Sequence, residues 1–178
     1  MIEWVVGGVL AAVILWVILT FNGLVRLKNR VQNAWQQIDV QLKRRHDLIP
    51  NLVNAVRGAM QFERDTLERV IAARTPGEAG AAEGELTAAV GRLFALMENY
   101  PDLKSNRNVL QLQEELTSTE NRVGFARQLY NDLVVQFNTR QEVFPANLLA
   151  ARMGFRAADY FQAEAAARAV PTVDLTLR

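Results

Sequence analysis

The side chains that most often carry out catalysis are scarce in this sequence of 178 residues. It has no cysteine, which excludes a disulfide framework, a thiolate metal site and a cysteine nucleophile. Its single histidine, His46, lies between Arg45 and Asp47 with no second histidine or nucleophilic motif to act with. A histidine triad or a His-rich zinc site is therefore not indicated, and we interpret His46 as part of a charged, solvated helix face.

The glycines and acidic residues do not form a recognisable site either. The three glycines of residues 74–85 are too scattered for a phosphate-binding loop, and no Lys-Ser or Lys-Thr pair follows them. Glu114, Glu115 and Glu120 fall on the polar side of a helical pattern, where no pair stands out as a catalytic acid and base. We predict no catalytic residue, no metal site and no cofactor, and we expect the protein not to be an enzyme.

The most distinctive element is an apolar stretch near the N-terminus. Trp4 to Phe21 are eighteen consecutive uncharged residues, and residues 22–25 can extend the run. About 20 helical residues at 1.5 Å each cover the roughly 30 Å hydrocarbon core of a bilayer. A cleaved signal peptide is disfavoured because the leader carries Glu3 and lacks a small-x-small cleavage site, and a soluble core helix because the run has no polar face. We predict a transmembrane anchor over residues 1–25.

The charges that flank the anchor predict its orientation. Arg26, Lys28 and Arg30 follow the run directly, whereas no lysine or arginine precedes it. By the positive-inside rule, the protein is single-pass, with its N-terminus outside and the C-terminal domain in the cytoplasm. The same three side chains can bind anionic lipid headgroups, so the lipid bilayer is the first expected partner.

Small residues within the anchor suggest self-association. Gly7 with Ala11, and Gly8 with Ala12, have the small-x-x-x-small spacing that lets two helices approach closely. Such pairs also occur by chance in spans that are rich in alanine and glycine. We treat these four residues as candidates for a helix-to-helix contact.

Beyond the anchor, residues 26–170 are predicted to form a cytoplasmic helix bundle. From Leu24 onward, apolar residues recur at steps of three and four as far as Ile71, which is typical of helices. Proline removes a helical hydrogen bond, so a kink or short break is expected between Arg45 and Pro50. A loop is predicted over residues 74–85, which contain one proline, three glycines and three acidic residues.

The second half of the bundle contains the clearest periodicity in the chain. A helix is predicted over residues 86–97, and a turn over residues 100–106. From Val109 to Phe137 the apolar steps alternate three and four, as in the seam of a coiled coil. A helix of about 30 residues must pack against another long one, and the region from Val31 to Ile71 is the candidate. The predicted fold is all-α, with an N-terminal transmembrane helix continuous with a long antiparallel helix bundle.

The C-terminal part is predicted from shorter signals. Phe144 and Pro145 end the long helix, and Asn147 is a plausible N-cap for a further helix through Met153. Three aromatic residues then offer a packing cluster for the core: Phe155, Tyr160 and Phe161.

The tail, residues 171–178, has a different period. Val173, Leu175 and Leu177 alternate with polar residues, which predicts a short strand or, as the simpler reading, a disordered tail. A strand here would have to pair with another chain, because no other segment offers a strand partner. These three residues are therefore further candidates for self-association.

Charge is distributed unevenly along the chain. Residues 26–73 hold nine basic and five acidic residues, a net charge of +4, whereas residues 74–178 hold eleven and thirteen, a net charge of −2. The basic cluster at residues 43–45 is expected to pair with the acidic half or with a partner's acidic surface. Because the domain is near neutral and has no basic stripe, we expect no nucleic-acid binding.

Several segments together resemble the LemA family of membrane proteins. They are RRHDLIPNLV at residues 44–53, YPDLKSN at residues 100–106 and YNDLVVQFNTRQEVFP at residues 130–145. The resemblance covers nearly the whole chain and implies an N-terminal membrane helix that carries a long-helix bundle, in a bacterial inner membrane. The family is also similar in pattern to a magnetosome-associated membrane protein, which suggests a part in shaping or organising membranes.

The resemblance identifies motif positions without assigning them a catalytic role. The recurrent positions of the family correspond here to Arg45, Asp47, Pro50, Asn51, Leu52, Tyr100, Pro101, Leu103, Glu120, Tyr130, Asn131, Asn138, Phe144 and Pro145. Tyr130 and Asn131 lie mid-helix in the apolar seam, where a buried phenol or amide needs a hydrogen-bond partner. We hypothesise that Arg45 and Asp47 are those partners, in a buried polar contact that fixes the register of two long helices.

Two functional hypotheses remain open from the sequence. The first is a membrane-anchored helical scaffold that forms homo-oligomers and organises or remodels the bilayer. The second is a monomeric membrane-tethered adaptor that binds a signalling, protease or transport protein whose identity the sequence does not give.

Overall fold

The computed structural model describes residues 1–57, 64–73 and 81–161. Over these ranges the chain contains helices and no strand, so the predicted all-α fold is confirmed. The helices are α1 (Ile2–Arg57), α2 (Arg64–Ala73), α3 (Ala81–Met97), α4 (Pro101–Ser105), α5 (Arg107–Glu142) and α6 (Asn147–Ala150).

Helix α1 contains the apolar N-terminal stretch and is long and apolar enough to cross a membrane. Only 6% of its most apolar window is buried, which distinguishes it from the core helix of a soluble protein. It is the one such helix in the described ranges. The predicted domain boundary at residue 25 lies inside α1, which crosses it without interruption.

Of the kink or short break expected between Arg45 and Pro50, the break is wrong, because α1 remains helical through Pro50 to Arg57. The kink stays a prediction. The side chains on both sides of the proline, Ile49 and Leu52 among them, are buried in a hydrophobic core. Each fully buried aliphatic side chain contributes about 1.5–3 kcal/mol, whereas an internal proline costs about 3 kcal/mol. Burial on this face therefore outweighs the lost hydrogen bond.

Two connections differ from the predicted loops. Residues 81–85 belong to α3 and not to a loop, and the rest of that predicted loop, 74–80, lies outside the described residues. The turn predicted at residues 100–106 contains the short helix α4, whose first residue is Pro101, the position where proline is best tolerated. Leu103 of this helix is buried in the core, which holds the segment in place.

Helix α5 confirms the periodic seam, and its first turn is capped by Asn106. The Asn106 Oδ1 accepts hydrogen bonds from the backbone N–H of Asn108 at 3.0 Å and of Val109 at 3.3 Å. This asparagine satisfies N–H groups that have no partner within the helix.

The predicted helix after Asn147 is much shorter than expected. Helix α6 has four residues, and Ala146, not Asn147, is its N-cap, without a side-chain hydrogen bond. Turns follow as far as Gly154, whose φ of +79° lies in the left-handed region that suits glycine. From Phe155 to Phe161 the chain has no regular secondary structure.

The described residues form two compact units, each with its own core. Unit 1 comprises Met1–Leu42 and Asn121–Phe161, and unit 2 the described part of Lys43–Glu120. The buried residues of unit 1 include Leu24, Val31, Ala34, Ile38, Tyr130, Val134, Phe137 and Ala150. Those of unit 2 include Ile49, Leu52, Val56, Val70, Leu86, Leu93, Leu103, Val109 and Leu116. The predicted tail, 171–178, lies outside the described residues.

Candidate functional site

The surface of the apolar stretch is open along its whole first half. Residues 1–15 are all exposed, including the self-association candidates Gly7, Gly8, Ala11 and Ala12. If either glycine carried a Cβ, no atom beyond its own turn of helix would lie within 4 Å of it. Farther along the helix, Thr20 and Leu24 are buried, so the rest of unit 1 packs against α1 from about this level onward.

The basic residues expected at lipid headgroups follow directly. Arg26, Lys28 and Arg30 are all exposed on α1. Leu27, between them, packs against the core of unit 1. The helix therefore directs its charges away from the core at the level where the apolar stretch ends.

Two asparagines of α5 bind the extended segment near the end of unit 1. The Asn138 Nδ2 donates to the backbone carbonyl of Ala158 at 3.0 Å, and its Oδ1 accepts from the Ala158 N–H at 2.9 Å. Asn131 does the same with Phe161, at 3.2 Å and 2.8 Å. Each amide thus satisfies both main-chain polar groups of one residue, as a neighbouring strand would.

The spacing of the two asparagines matches the segment that they hold. Seven helical residues separate Asn131 from Asn138, about 10.5 Å along the axis. Three residues of extended chain, from Ala158 to Phe161, span about 10 Å. Both amides can therefore engage the segment at once. We call Tyr130, Asn131 and Asn138, together with residues 158–161, the C-terminal clasp.

Aromatic side chains pack beside two residues of the clasp, Tyr130 and Phe161. The Trp35 ring lies 5.3 Å from that of Tyr130 and 5.9 Å from that of Phe161, between centroids. The Arg127 guanidinium lies 4.7 Å above the Phe161 ring, in a cation–π arrangement. These contacts pack the Tyr130 and Phe161 rings beside α1 and α5, and Trp35 itself remains 48% exposed.

The third member of the clasp is a phenol in a mostly apolar environment. The Tyr130 hydroxyl donates to the Asp159 backbone carbonyl at 2.8 Å. Burial, and secondarily the nearby Asp159 carboxylate, raise the pKa of Tyr130 above its usual value. The phenol therefore stays protonated and remains a donor at neutral pH.

Unit 2 contains a different polar contact, centred on Arg45. This side chain is only 4% exposed, and its Nη2 donates to the Thr87 hydroxyl at 2.7 Å. Its Nη1 lies 3.0 Å from the carboxylate of Glu120, whose side chain is 42% exposed. Arg45 thus links α1, α3 and α5 through charge-assisted hydrogen bonds. The neighbouring pair of Arg44 and Glu115 is longer, at 3.8 Å, and solvent-exposed.

The hypothesis that Arg45 and Asp47 are the partners of Tyr130 and Asn131 is wrong. Tyr130 and Asn131 bond to the backbone of residues 159 and 161, and Arg45 bonds to Thr87 and Glu120. Asp47 is exposed. The partners of Tyr130 and Asn131 are main-chain groups of the segment at residues 159–161, which pairs with no strand among the described residues, and not charged side chains.

The remaining motif positions are distributed between surface and core. Leu52 and Leu103 are buried; Pro50, Tyr100 and Pro145 are half-buried; and Asn51, Pro101 and Phe144 are exposed. His46 is half-buried and has an interaction partner, so it does not lie on a fully solvated face. Of the predicted aromatic cluster, Phe155 and Phe161 pack against the core, whereas Tyr160 is exposed. The tail candidates Val173, Leu175 and Leu177 lie outside the described residues.

Sequence reasoning missed three residues that complete these sites: Trp35, Thr87 and Arg127. A signal was nevertheless present for the clasp, since two asparagines one heptad apart in an apolar seam need partners that the seam cannot supply. No comparable signal identified Thr87. In the ranges that the structure describes, no group of three or more His, Asp or Glu residues could hold a metal ion.

Comparison with known proteins identifies the family. Residues 34–175 match the sequence model of the LemA family. Protein LemA of Metamycoplasma hominis is 27% identical over 153 residues, covering 80% of this chain and 68% of that relative. Magnetosome protein MamQ 2 of Paramagnetospirillum magneticum is 26% identical over 184 residues, covering 85% and 68%. MamQ of Magnetospirillum gryphiswaldense is 23% identical with the same coverage. With its apolar N-terminal helix and its helical bundle, the chain is a membrane-associated protein that belongs to the LemA family.

Proposed function

We propose that this protein is a membrane-anchored helical scaffold, which self-assembles through its span and organises or remodels the bilayer. In this proposal it is not an enzyme, its N-terminus is outside, and the bundle is in the cytoplasm. The partners are the lipid bilayer and further copies of the same chain.

The observation that carries the proposal is the rigid connection between span and bundle in unit 1. Helix α1 continues from its apolar stretch into residues 24–38, whose inner face is buried against α5. No flexible linker intervenes. A bundle fixed in this way transmits its orientation to the bilayer and to neighbouring copies, whereas an adaptor that searches for partners gains from a mobile tether.

Two further features support the proposal. The small-residue positions Gly7, Gly8, Ala11 and Ala12 are uncovered, which leaves room for a second helix to pack closely. Two of the relatives are named as magnetosome proteins, which fits a part in organising a cellular structure. The basic residues that follow the span favour the cytoplasmic orientation of the bundle.

The test measures oligomeric state and membrane shape in the same preparation. The full chain is purified in a mild detergent, sized by light scattering, and then reconstituted into liposomes for electron microscopy. We expect an oligomer and altered liposome shape. Gly7→Leu with Gly8→Leu should lower the oligomeric state. The matched control, Val6→Leu with Val13→Leu on the opposite side of the helix, should not.

Two results would overturn the scaffold proposal. One is a monomer in detergent together with unchanged liposomes. The other is a stoichiometric complex with one foreign protein and no self-association, which would favour the membrane-tethered adaptor. Removing Val173 to Arg178 tests whether the tail contributes to assembly, separately from the span.

A further inference from the structure

An apolar surface patch lies in the turn that follows α5. Val143, Phe144 and Leu148 are all exposed, and the Phe144 side chain is 76% exposed. They fall within six residues of one another, around the Phe144–Pro145 bond and the start of α6. We call these three residues the turn patch. Three large apolar side chains in one exposed turn indicate a surface that a lipid bilayer or another molecule covers.

Contacts within unit 1 place the turn patch at the level where the apolar stretch ends. Trp35 of α1 contacts Tyr130 of α5, and Phe155 contacts both Phe21, earlier in α1, and Phe137, later in α5, so the two helices run antiparallel there. Equal steps along the two helices therefore stay level. Glu142, the last residue of α5, lies twelve residues beyond Tyr130 and is therefore level with Gly23, twelve residues before Trp35. Phe144 follows two residues later in the turn.

Ring contacts also place the chain that follows the turn beside α1. Phe155, which follows the turn, lies 5.8 Å from Phe21 and 6.4 Å from Phe137, between ring centroids. The chain between Phe137 and Phe155 thus returns to its own start, and its end lies beside Phe21 in the apolar stretch. The turn patch lies between these two points in the sequence.

Charge around the turn fits a lipid surface. Arg140, Arg152 and Arg156 are exposed, and Glu142 is the one acidic residue from 139 to 156. Arg26, Lys28 and Arg30 are exposed on α1, five to nine residues beyond Phe21. Apolar side chains flanked by cations match the boundary between acyl chains and anionic headgroups. A contact between two copies would bring these six cations near six more, which opposes association.

We infer that the turn patch is a second membrane-contacting element, whose Val143, Phe144 and Leu148 insert into the interfacial layer of an anionic bilayer beside the span. The bilayer then holds the bundle at two points, the span and the turn, and this fixes the bundle's rotation about the axis of α1. The inference rests on α1 crossing the membrane, as in the proposed function, and does not require self-assembly.

The absence of native cysteine makes the test direct, because one introduced cysteine is the one site that a nitroxide label modifies. Phe144→Cys is labelled in the full chain and reconstituted into vesicles of phosphatidylcholine and phosphatidylglycerol. The matched control is Phe125→Cys, since Phe125 is an exposed phenylalanine, 71% exposed, on α5, the helix that precedes the turn. It lies nineteen residues earlier, about 28 Å farther from the membrane along the helix.

Electron paramagnetic resonance measures how often each label collides with oxygen and with a water-soluble nickel complex, and we expect opposite results at the two positions. The label at residue 144 should collide with oxygen, which dissolves in lipid, and be shielded several-fold from a water-soluble nickel complex. The label at residue 125 should behave as a water-exposed side chain. Leu148→Cys provides an independent reading of the turn patch if the first variant folds poorly.

Two outcomes overturn the inference. If residue 144 is as accessible to nickel as residue 125, the turn lies in water. If it is shielded from both oxygen and nickel, a second copy or another part of the protein covers it. A label at Val9, in the span, separates this failure from failure of the anchor, because Val9→Cys should be lipid-exposed whenever α1 crosses the bilayer.

Discussion

The two units of this protein stabilise their buried polar groups in contrasting ways. In unit 1, the clasp uses neutral amides and a phenol that bond to main-chain groups of residues 158–161. In unit 2, Arg45 uses a full charge, neutralised by a carboxylate that is still partly in water. Neutral bonds to the backbone fix a segment in position whatever its side chains, whereas the charged contact depends on one particular acidic residue.

The difference has an energetic consequence. A buried amide that loses its partner costs about 1–3 kcal/mol for each polar group left unpaired. A buried charge that loses its partner costs more in principle, but solvent at the exposed carboxylate reduces the loss. Three substitutions, in order of decreasing expected effect, test this comparison.

Asn138→Leu should destabilise unit 1 most, by about 2–4 kcal/mol, because it leaves both the N–H and the carbonyl of Ala158 without their partner. Thermal unfolding of the full chain in detergent measures the loss, and hydrogen exchange at Ala158 locates it. Asn121→Leu, at an exposed position of the same helix, is the matched control. Wild-type exchange at Ala158 in the Asn138 variant would show that the clasp does not hold the segment.

Glu120→Gln should destabilise unit 2 by about 1–2 kcal/mol, because the buried Arg45 keeps a hydrogen-bond partner but loses its counter-charge. Glu115→Gln neutralises an acidic residue five positions earlier, in an exposed pair, and should change stability by less than about 0.5 kcal/mol. Equal effects of the two substitutions on thermal unfolding would contradict a special role for the Arg45 contact.

Tyr130→Phe should have the smallest effect, about 1 kcal/mol at neutral pH, because it removes one hydrogen bond to the Asp159 carbonyl. The pKa of Tyr130 is raised in the folded protein, so the folded state retains this proton more strongly than the unfolded state. The contribution is therefore present below the ordinary phenol pKa of about 10 and is lost as pH rises through the raised value.

The pH dependence distinguishes Tyr130 from the other tyrosines. The unfolding temperature should fall less steeply with rising pH in Tyr130→Phe than in the wild type, when it is measured between neutral and strongly alkaline pH. Tyr160→Phe, which changes an exposed residue, should leave the alkaline slope as it is. An identical slope in both variants would mean that the clasp phenol does not titrate with folding.

The sequence by itself determined the helical class, the apolar stretch and the long seam of α5. The helices follow from periodicity, since apolar steps of three and four define one buried face. The apolar stretch follows from its length, since eighteen uncharged residues can form a helix that nearly crosses a bilayer. Family motifs were also readable, because they are local strings. The continuous helix through Pro50 was not readable from the sequence, because burial of Ile49 and Leu52 outweighs the local signal of the proline.

Only the tertiary structure decided what the polar motif residues bind. The sequence pattern places Tyr130 and Asn131 in the apolar seam, but it does not say which residue lies opposite them. The partners of Asn131, Asn138 and Arg45 are 20 to 75 residues away in the chain. For the two asparagines those partners are main-chain groups, which every residue possesses and no sequence pattern marks. The position of a backbone segment is a property of the packed chain, and for that reason the clasp became visible only in the fold.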